Sequence, residues 1–180
     1  KLPGGASIMI KDGVLNNPKI DQMLALHVYP EFEVGNIGFR SGQYMAACDE
    51  LYISVKGKGG HAALPDSVIN PITIGADIII RVKKLIANMA LNQKYILEFG
   101  DFHAYGASNV IPDTAEIQGT LRTLDDDFRF KVHEVMLHEV ERIQEQYSAN
   151  CILDIKRGYP VLFNDKGFTE RCRHFSSVFL

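Results

Sequence analysis

Hydrophobic and polar positions alternate along "LYISVKG" (51–57), with Leu51, Ile53 and Val55 on one side and Tyr52, Ser54 and Lys56 on the other. A period of two marks a strand buried on one face. The same period returns in "TAEIQGTLRT" (114–123), where Ala115, Ile117, Gly119 and Leu121 oppose Glu116, Gln118, Thr120 and Arg122. Between them the period lengthens. Asn70 and Pro71 read as N-cap and first helical position, and Ile72, Ala76, Ile79, Lys83 and Ile86 follow at near-helical steps, predicting a helix over 71–90. "KYILEFGDFHA" (94–104) reads as another strand. Asp125 to Asp127 favour a helix start, since acidic groups complement a helix N-terminus. Phe128, Val132, Val135, Glu139, Val140, Ile143 and Tyr147 continue that helix at three-to-four spacing. "CILDIKRGYP" (151–160) is a strand closed by Gly158 and Pro160.

From 44 to 160 the order is therefore strand, helix, strand, strand, helix, strand. That order predicts an α+β fold, a ferredoxin-like βαββαβ unit with two helices on one face of an antiparallel sheet. The N-terminal pattern differs. "PGGASIMIKDGVL" (3–15) predicts a short helix with Gly13 near its stop, "QMLALHV" (22–28) a buried strand ending at His27, and "VGNIGFR" (34–40) a second strand. These stretches, and the tail after 160, fall outside the unit and read as ends of another domain. The expected division is 1–42, 43–160 and 161–180.

Composition narrows the function classes. With 46% hydrophobic and 23% charged residues, the 180-residue chain is an ordinary globular one able to bury a sizeable core. A formal net charge of -3 offers no electrostatic reason to expect nucleic acid or an anionic membrane as partner. No apolar run approaches the length of a transmembrane helix, and no signal peptide is visible. Cys48, Cys151 and Cys172 are too scattered for a disulfide framework or a CxxC metal site, and their odd number fits a reducing, cytoplasmic compartment. The first residue is Lys1 rather than Met, as in a processed chain or a piece of a longer one.

Four residues are candidates for chemistry, each with a structural alternative. His27 reads either as a partly buried histidine at a strand end or as a metal ligand on a rigid strand. His61 follows the glycines of "GKGGHAALP" (57–65), either as a loop histidine bonded to backbone or as a side chain reaching a reacting centre outside its own domain. The spacing fits neither a dinucleotide fingerprint nor a P-loop. Asn109 in "GASNVIPD" (106–113) either caps a turn or presents its amide to a carboxylate. Arg122 either pairs with Glu116 or a helix acid, or offers a guanidinium fork to a carboxylate. His133 and His138 are five apart and lie on different sides of their helix, so they make no zinc pair. No serine or cysteine stands in a nucleophile motif.

Taken together, "PGGASIMIKDGVL", "ALHVYP", "GKGGHAALP", "NPI" and "SNVIPDTAEIQGTLRT" resemble the M20 family of metal-dependent peptidases and amidohydrolases, in its aminoacylase, hippurate hydrolase and N-acyl amino acid amidohydrolase branch. The resemblance runs from about residue 3 to about residue 165. It implies a two-domain parent, in which an α/β zinc-peptidase-like catalytic domain is interrupted by a ferredoxin-like lid or dimerisation domain matching 44–160. It implies that His27 is a metal ligand, that His61 enters a partner subunit's site to stabilise the oxyanion, and that Asn109 and Arg122 bind the substrate carboxylate.

The same resemblance implies two zinc ions, with manganese as the alternative, and a homodimer through the lid acting on small N-acyl amino acids or peptides. The family's His-x-Cys-Gly-His-Asp segment, its Glu-Glu pair and a further C-terminal histidine have no match in the chain. The chain by itself is therefore expected to hold no tightly bound metal and to be inactive. The competing expectation is a free-standing ferredoxin-like module for dimerisation or small-ligand binding, without catalysis.

Overall fold

The computed structural model describes residues 4–179. In chain order the elements are α1 (Gly5–Lys11), β1 (Gly42–Met45), β2 (Ala47–Lys56), β3 (Gly60–His61), a single 3-10 turn (Pro65–Ser67), α2 (Pro71–Ala90), β4 (Tyr95–His103), β5 (Val110–Ile111), β6 (Thr114–Thr123), α3 (Asp126–Tyr147), β7 (Asn150–Arg157), β8 (Leu162–Asn164) and α4 (Lys166–Phe179). They divide into two compact units, Met45–Leu162 and the residues on either side of it.

The central unit is built on a four-stranded sheet in the order β4-β6-β2-β7, antiparallel throughout. With α2 and α3 inserted between strands, this is the α+β, ferredoxin-like arrangement that the patterning predicts. β2 lies inside the sheet, pairing Leu51 with Gly119 of β6 and with Ile155 of β7. Its buried side chains, Leu51, Ile53 and Val55, join Leu97, Ile117 and Leu121 of the neighbouring strands. Ile74, Ile78, Val82 and Ile86 of α2 and Val132, Met136, Val140 and Ile143 of α3 close over them. Each such side chain, removed from water, contributes about 1.5–3 kcal/mol.

Both helices start where their caps dictate. Asn70 Oδ1 accepts from Ile72 N at 3.0 Å ahead of Pro71, and Asp125 Oδ1 accepts from Phe128 N at 2.8 Å. The buried row of α2 is 74, 78, 82 and 86, one step round from the apolar series through Ile72, Ala76 and Ile79. The helix is thus apolar on two faces, and Ile72 and Ile80 remain 39% and 65% exposed.

The flanking unit departs from expectation. The helix expected over 3–15 covers only Gly5–Lys11, and Pro3 lies outside the described residues. No strand forms at 22–28 or 34–40. A strand needs a neighbour to take up its backbone N–H and C=O groups, and no described segment pairs with either stretch. Leu24, Leu26 and Val28 are accordingly 70%, 84% and 81% exposed. Beyond 160 the chain carries β8, which pairs with β1, and the amphipathic α4. Neither was anticipated from the patterning.

Candidate functional site

The glycines of "GKGGH" are explained by close approach. A Cβ on Gly57 would stand 2.0 Å from Ile69 O, and one on Gly59 would stand 2.5 Å from Ile111 O. Only glycine lets these backbones meet. The loop is then pinned from two sides. Gly57 N and Gly59 N donate to Asp113 O and Oδ1, both at 2.9 Å, while Lys58 and Ile69 exchange bonds of 2.9 and 2.8 Å. The short β3–β5 ribbon that results pairs His61 with Val110.

His61 is exposed, with its ring oriented by the backbone. Ala63 N donates to His61 Nδ1 at 3.1 Å, so Nδ1 keeps its lone pair and a neutral ring carries its proton on Nε2. The outer nitrogen is a hydrogen-bond donor that needs no added charge. Asn109 lies beside it: Ala62 N donates to Asn109 O at 3.0 Å, and Val110 N closes a turn onto Ala107 O at 3.1 Å. The backbone makes that turn, and the exposed amide of Asn109 has no hydrogen bond among the described residues. His61 and Asn109 form one cluster.

Arg122 is not part of that cluster. It lies on the exposed face of β6, level with Cys48 of β2 and Ile96 of β4. The His61 loop springs from the other end, where Lys56 pairs with Thr114. Thr114 to Arg122 spans roughly 26 Å of strand, at about 3.3 Å per residue. The pair with Glu116 does not form; Glu116 instead accepts from Ser54 Oγ at 2.8 Å. Among the described residues the Arg122 guanidinium has no ion-pair partner, which leaves its fork open to a ligand.

His27 belongs to the flanking unit and is exposed rather than partly buried at a strand end. Its Nδ1 donates to Val28 O at 2.6 Å, leaving the Nε2 lone pair available. A carbonyl on the other ring nitrogen is how metal-binding histidines are commonly held, so the side chain fits a ligand role. Among the described residues no group of three or more His, Cys, Asp or Glu is arranged to hold a metal ion.

The patterning missed a buried charge cluster. Asp49, fully buried at an inward position of β2, accepts from Arg129 Nε at 2.8 Å and from Arg129 Nη2. It also accepts from Gly158 N at 3.0 Å and is bonded to His133 Nε2 at 2.7 Å. Burial alone would raise the Asp49 pKa, but the bonds from Arg129, His133 and Gly158 outweigh it and hold the carboxyl well below the usual range. His133, which the helix pattern leaves idle, joins Arg129 as a second α3 anchor of this cluster. The available signal was an acid at a buried position of an alternating strand, which demands partners.

A family profile described as "Peptidase dimerisation domain" (M20) matches residues 48–148. The chain is 35% identical over 170 residues to an N-acetyl-L-cysteine deacetylase of Bacillus subtilis, covering 94% of the chain and 40% of that protein. It is 35% identical over 167 residues to an N-acyl-L-amino acid amidohydrolase of Geobacillus stearothermophilus, covering 92% and 45%. A Bacillus subtilis structure described as a dinuclear metal binding peptidase from the M20 family superposes with a TM-score of 0.75 at 28% identity, covering 98% and 44%. The chain thus spans less than half the length of each of these relatives.

Proposed function

The chain belongs to the M20 family through its peptidase dimerisation domain, and from that premise we propose that it is the lid-bearing part of a homodimeric, metal-dependent amidohydrolase of N-acyl amino acids. In this reading residues 43–160 are the lid, and 1–42 and 161–180 are parts of the catalytic domain. The exposed Leu24, Leu26 and Val28 support a larger parent over a free-standing module, since such a run calls for cover. The free thiols of Cys48, Cys151 and Cys172 suit the cytoplasm.

The observation that carries the proposal is the separation of Arg122 from His61 and Asn109. One copy of the chain, with most of the length of β6 between the His61 loop and Arg122, does not bring these groups onto one small substrate. Two copies can. β4 is an edge strand, and the α2 face beside it is apolar through Ile72 and Ile80. The exposed side of α3, above the opposite edge, sets Phe130 and Leu137 among the polar Glu134, His138, Glu141 and Glu145. A two-fold axis that pairs β4 with itself makes the pair antiparallel. The Ile96 end, level with Arg122, then meets the His103 end of the second copy, which neighbours His61 and Asn109.

In the composite site, Arg122 of one copy grips the substrate carboxylate with its fork, assisted by the Asn109 amide of the other. His61 Nε2–H, held by the Ala63 contact, donates to the oxygen that gains charge as the amide carbonyl is attacked. His27 offers Nε2 as one ligand of a divalent metal pair, zinc or manganese, with the other ligands supplied from outside the chain. Bound there, the metals supply Lewis-acid polarisation of the amide and activation of water.

Mixing inactive variants tests the shared site. With His61→Ala and Arg122→Ala co-expressed in the full-length protein, half of the dimers are mixed and each regains one intact site. About a quarter of wild-type activity is expected. Activity no higher than that of the separate variants would mean both residues act within one copy, and the proposal would fail.

A further inference from the structure

The support of His61 comes from outside its own loop. Between β2 and His61 the chain runs Gly57-Lys58-Gly59-Gly60, and a glycine-rich backbone is the costliest kind to hold in one conformation. The ribbon that ends the loop is only two residue pairs long, Gly60 with Ile111 and His61 with Val110. A pairing that short does not fix a loop by itself. The opposing segment is firmer. Ala107 and Val110 exchange backbone bonds of 3.0 and 3.1 Å. A Cβ on Gly106 would stand 2.4 Å from Val110 O and 2.9 Å from Pro112 Cδ, so the segment folds tightly back on itself. One loop is held by its own turn, and the other leans on it.

Asp113 makes the connection between them. Its backbone oxygen accepts from Gly57 N and its Oδ1 from Gly59 N, both at 2.9 Å, just beyond the last β2–β6 pair of Lys56 with Thr114. Among the described residues the Oδ1 bond is the one side-chain hydrogen bond that joins the two loops. It grips the backbone two residues before His61. A carboxylate accepting from a backbone N–H makes a charge-assisted bond, roughly twice as strong as a neutral one. The Asp113 side chain is exposed and lies outside the buried cluster, so the core does not need it.

We propose that Asp113 is a positioning residue for hydrolysis, its carboxylate setting where His61 Nε2–H stands in the composite site. This inference rests on the amidohydrolase reading. Asn109 belongs to the firmer loop and Arg122 to the far end of β6, so neither depends on the Oδ1 bond. Loss of the carboxylate displaces the oxyanion donor and leaves the grip on the substrate carboxylate in place. A donor that acts only in the transition state then costs kcat and leaves KM alone.

The test measures kcat, KM and melting temperature with the full-length protein, on N-acetylalanine and N-acetylmethionine. Asp113→Ala is expected to lower kcat roughly ten- to a hundredfold, with KM within about twofold of wild type and the melting temperature unchanged. Asp113→Asn, which keeps an acceptor oxygen, is expected to regain most of that kcat. In a His61→Ala background the Asp113→Ala change should cost less than about twofold, because the group it positions is gone. Equal losses in both backgrounds overturn the positioning role, as does a raised KM in place of a lowered kcat. So do a wild-type kcat in Asp113→Ala, an Asp113→Asn variant no better than Asp113→Ala, and a melting temperature that falls in step with kcat. Any of these, with a wild type that cleaves the N-acetyl substrates, leaves the amidohydrolase reading intact. A wild type that cleaves neither substrate overturns both.

Discussion

Asp49 is the residue on which the central unit most depends. Its carboxylate is bound by Arg129 of α3, by His133 one turn further along that helix, and by Gly158 N just after β7. Removing the charge leaves buried Arg129 with only the partly exposed Asp126 at 3.1 Å as counter-ion, so Asp49→Asn is expected to destabilise the unit by roughly 3 kcal/mol. The pH dependence has a definite sign. The carboxyl's folded pKa lies below its unfolded value, so the stabilisation is complete above the unfolded value of about 3.9 and is lost as pH falls further. Urea midpoints measured from pH 6 down to pH 2 check this: the wild type should weaken steeply below about pH 4, and Asp49→Asn should lack that component.

At the level of elements, the telling contrast is between the two edges of the sheet. An edge strand with open backbone groups is a pairing surface unless charge or cover blunts it. Each edge carries an ion pair and an exposed isoleucine, Asp154–Lys156 with Ile152 on β7, and Glu98, bonded to Lys83 of α2, with Ile96 on β4. The contrast lies in the helices above, where Ile80 of α2 is 65% exposed and the apolar side chains Phe130 and Leu137 of α3 are less so. Ile80→Lys combined with Ile96→Lys is expected to leave the fold intact, since neither side chain is in the core. The same pair should shift the protein from dimer to monomer in sedimentation and lower hydrolysis with it. A dimer that persists would move the interface elsewhere.

At the level of the whole molecule, the two units differ in self-sufficiency. Every member of the buried hydrophobic cluster, from Leu51 to Cys151, lies within Met45–Leu162. That unit closes its own core, while the flanking unit leaves Met23, Leu24 and Leu26 in water. A segment cut to 45–162 is therefore expected to unfold as one cooperative transition in thermal scans monitored by circular dichroism. A broad, non-cooperative melt would show that the core draws on the flanking residues.

The lid was legible in the chain because its signals are local. Period-two alternation in 51–57 and 114–123, the Asn70–Pro71 start and the acidic start at Asp125 are each settled by near neighbours, and the family motifs are contiguous. Besides β8 and α4, three things were not legible. The strands expected at 22–28 and 34–40 fail because a strand is defined by a partner, which no stretch contains within itself. The bond between Asp49 and His133 joins positions 84 residues apart, and only the packing of α3 on β2 brings them together. Local sequence names His61, Asn109 and Arg122 as polar groups beside turns and strands. The register of β2 with β6 and the order of the sheet decide that the first two stand together and the third stands at the far end. Side-chain periodicity is a property of the chain, whereas distance between remote residues exists only once strands have paired.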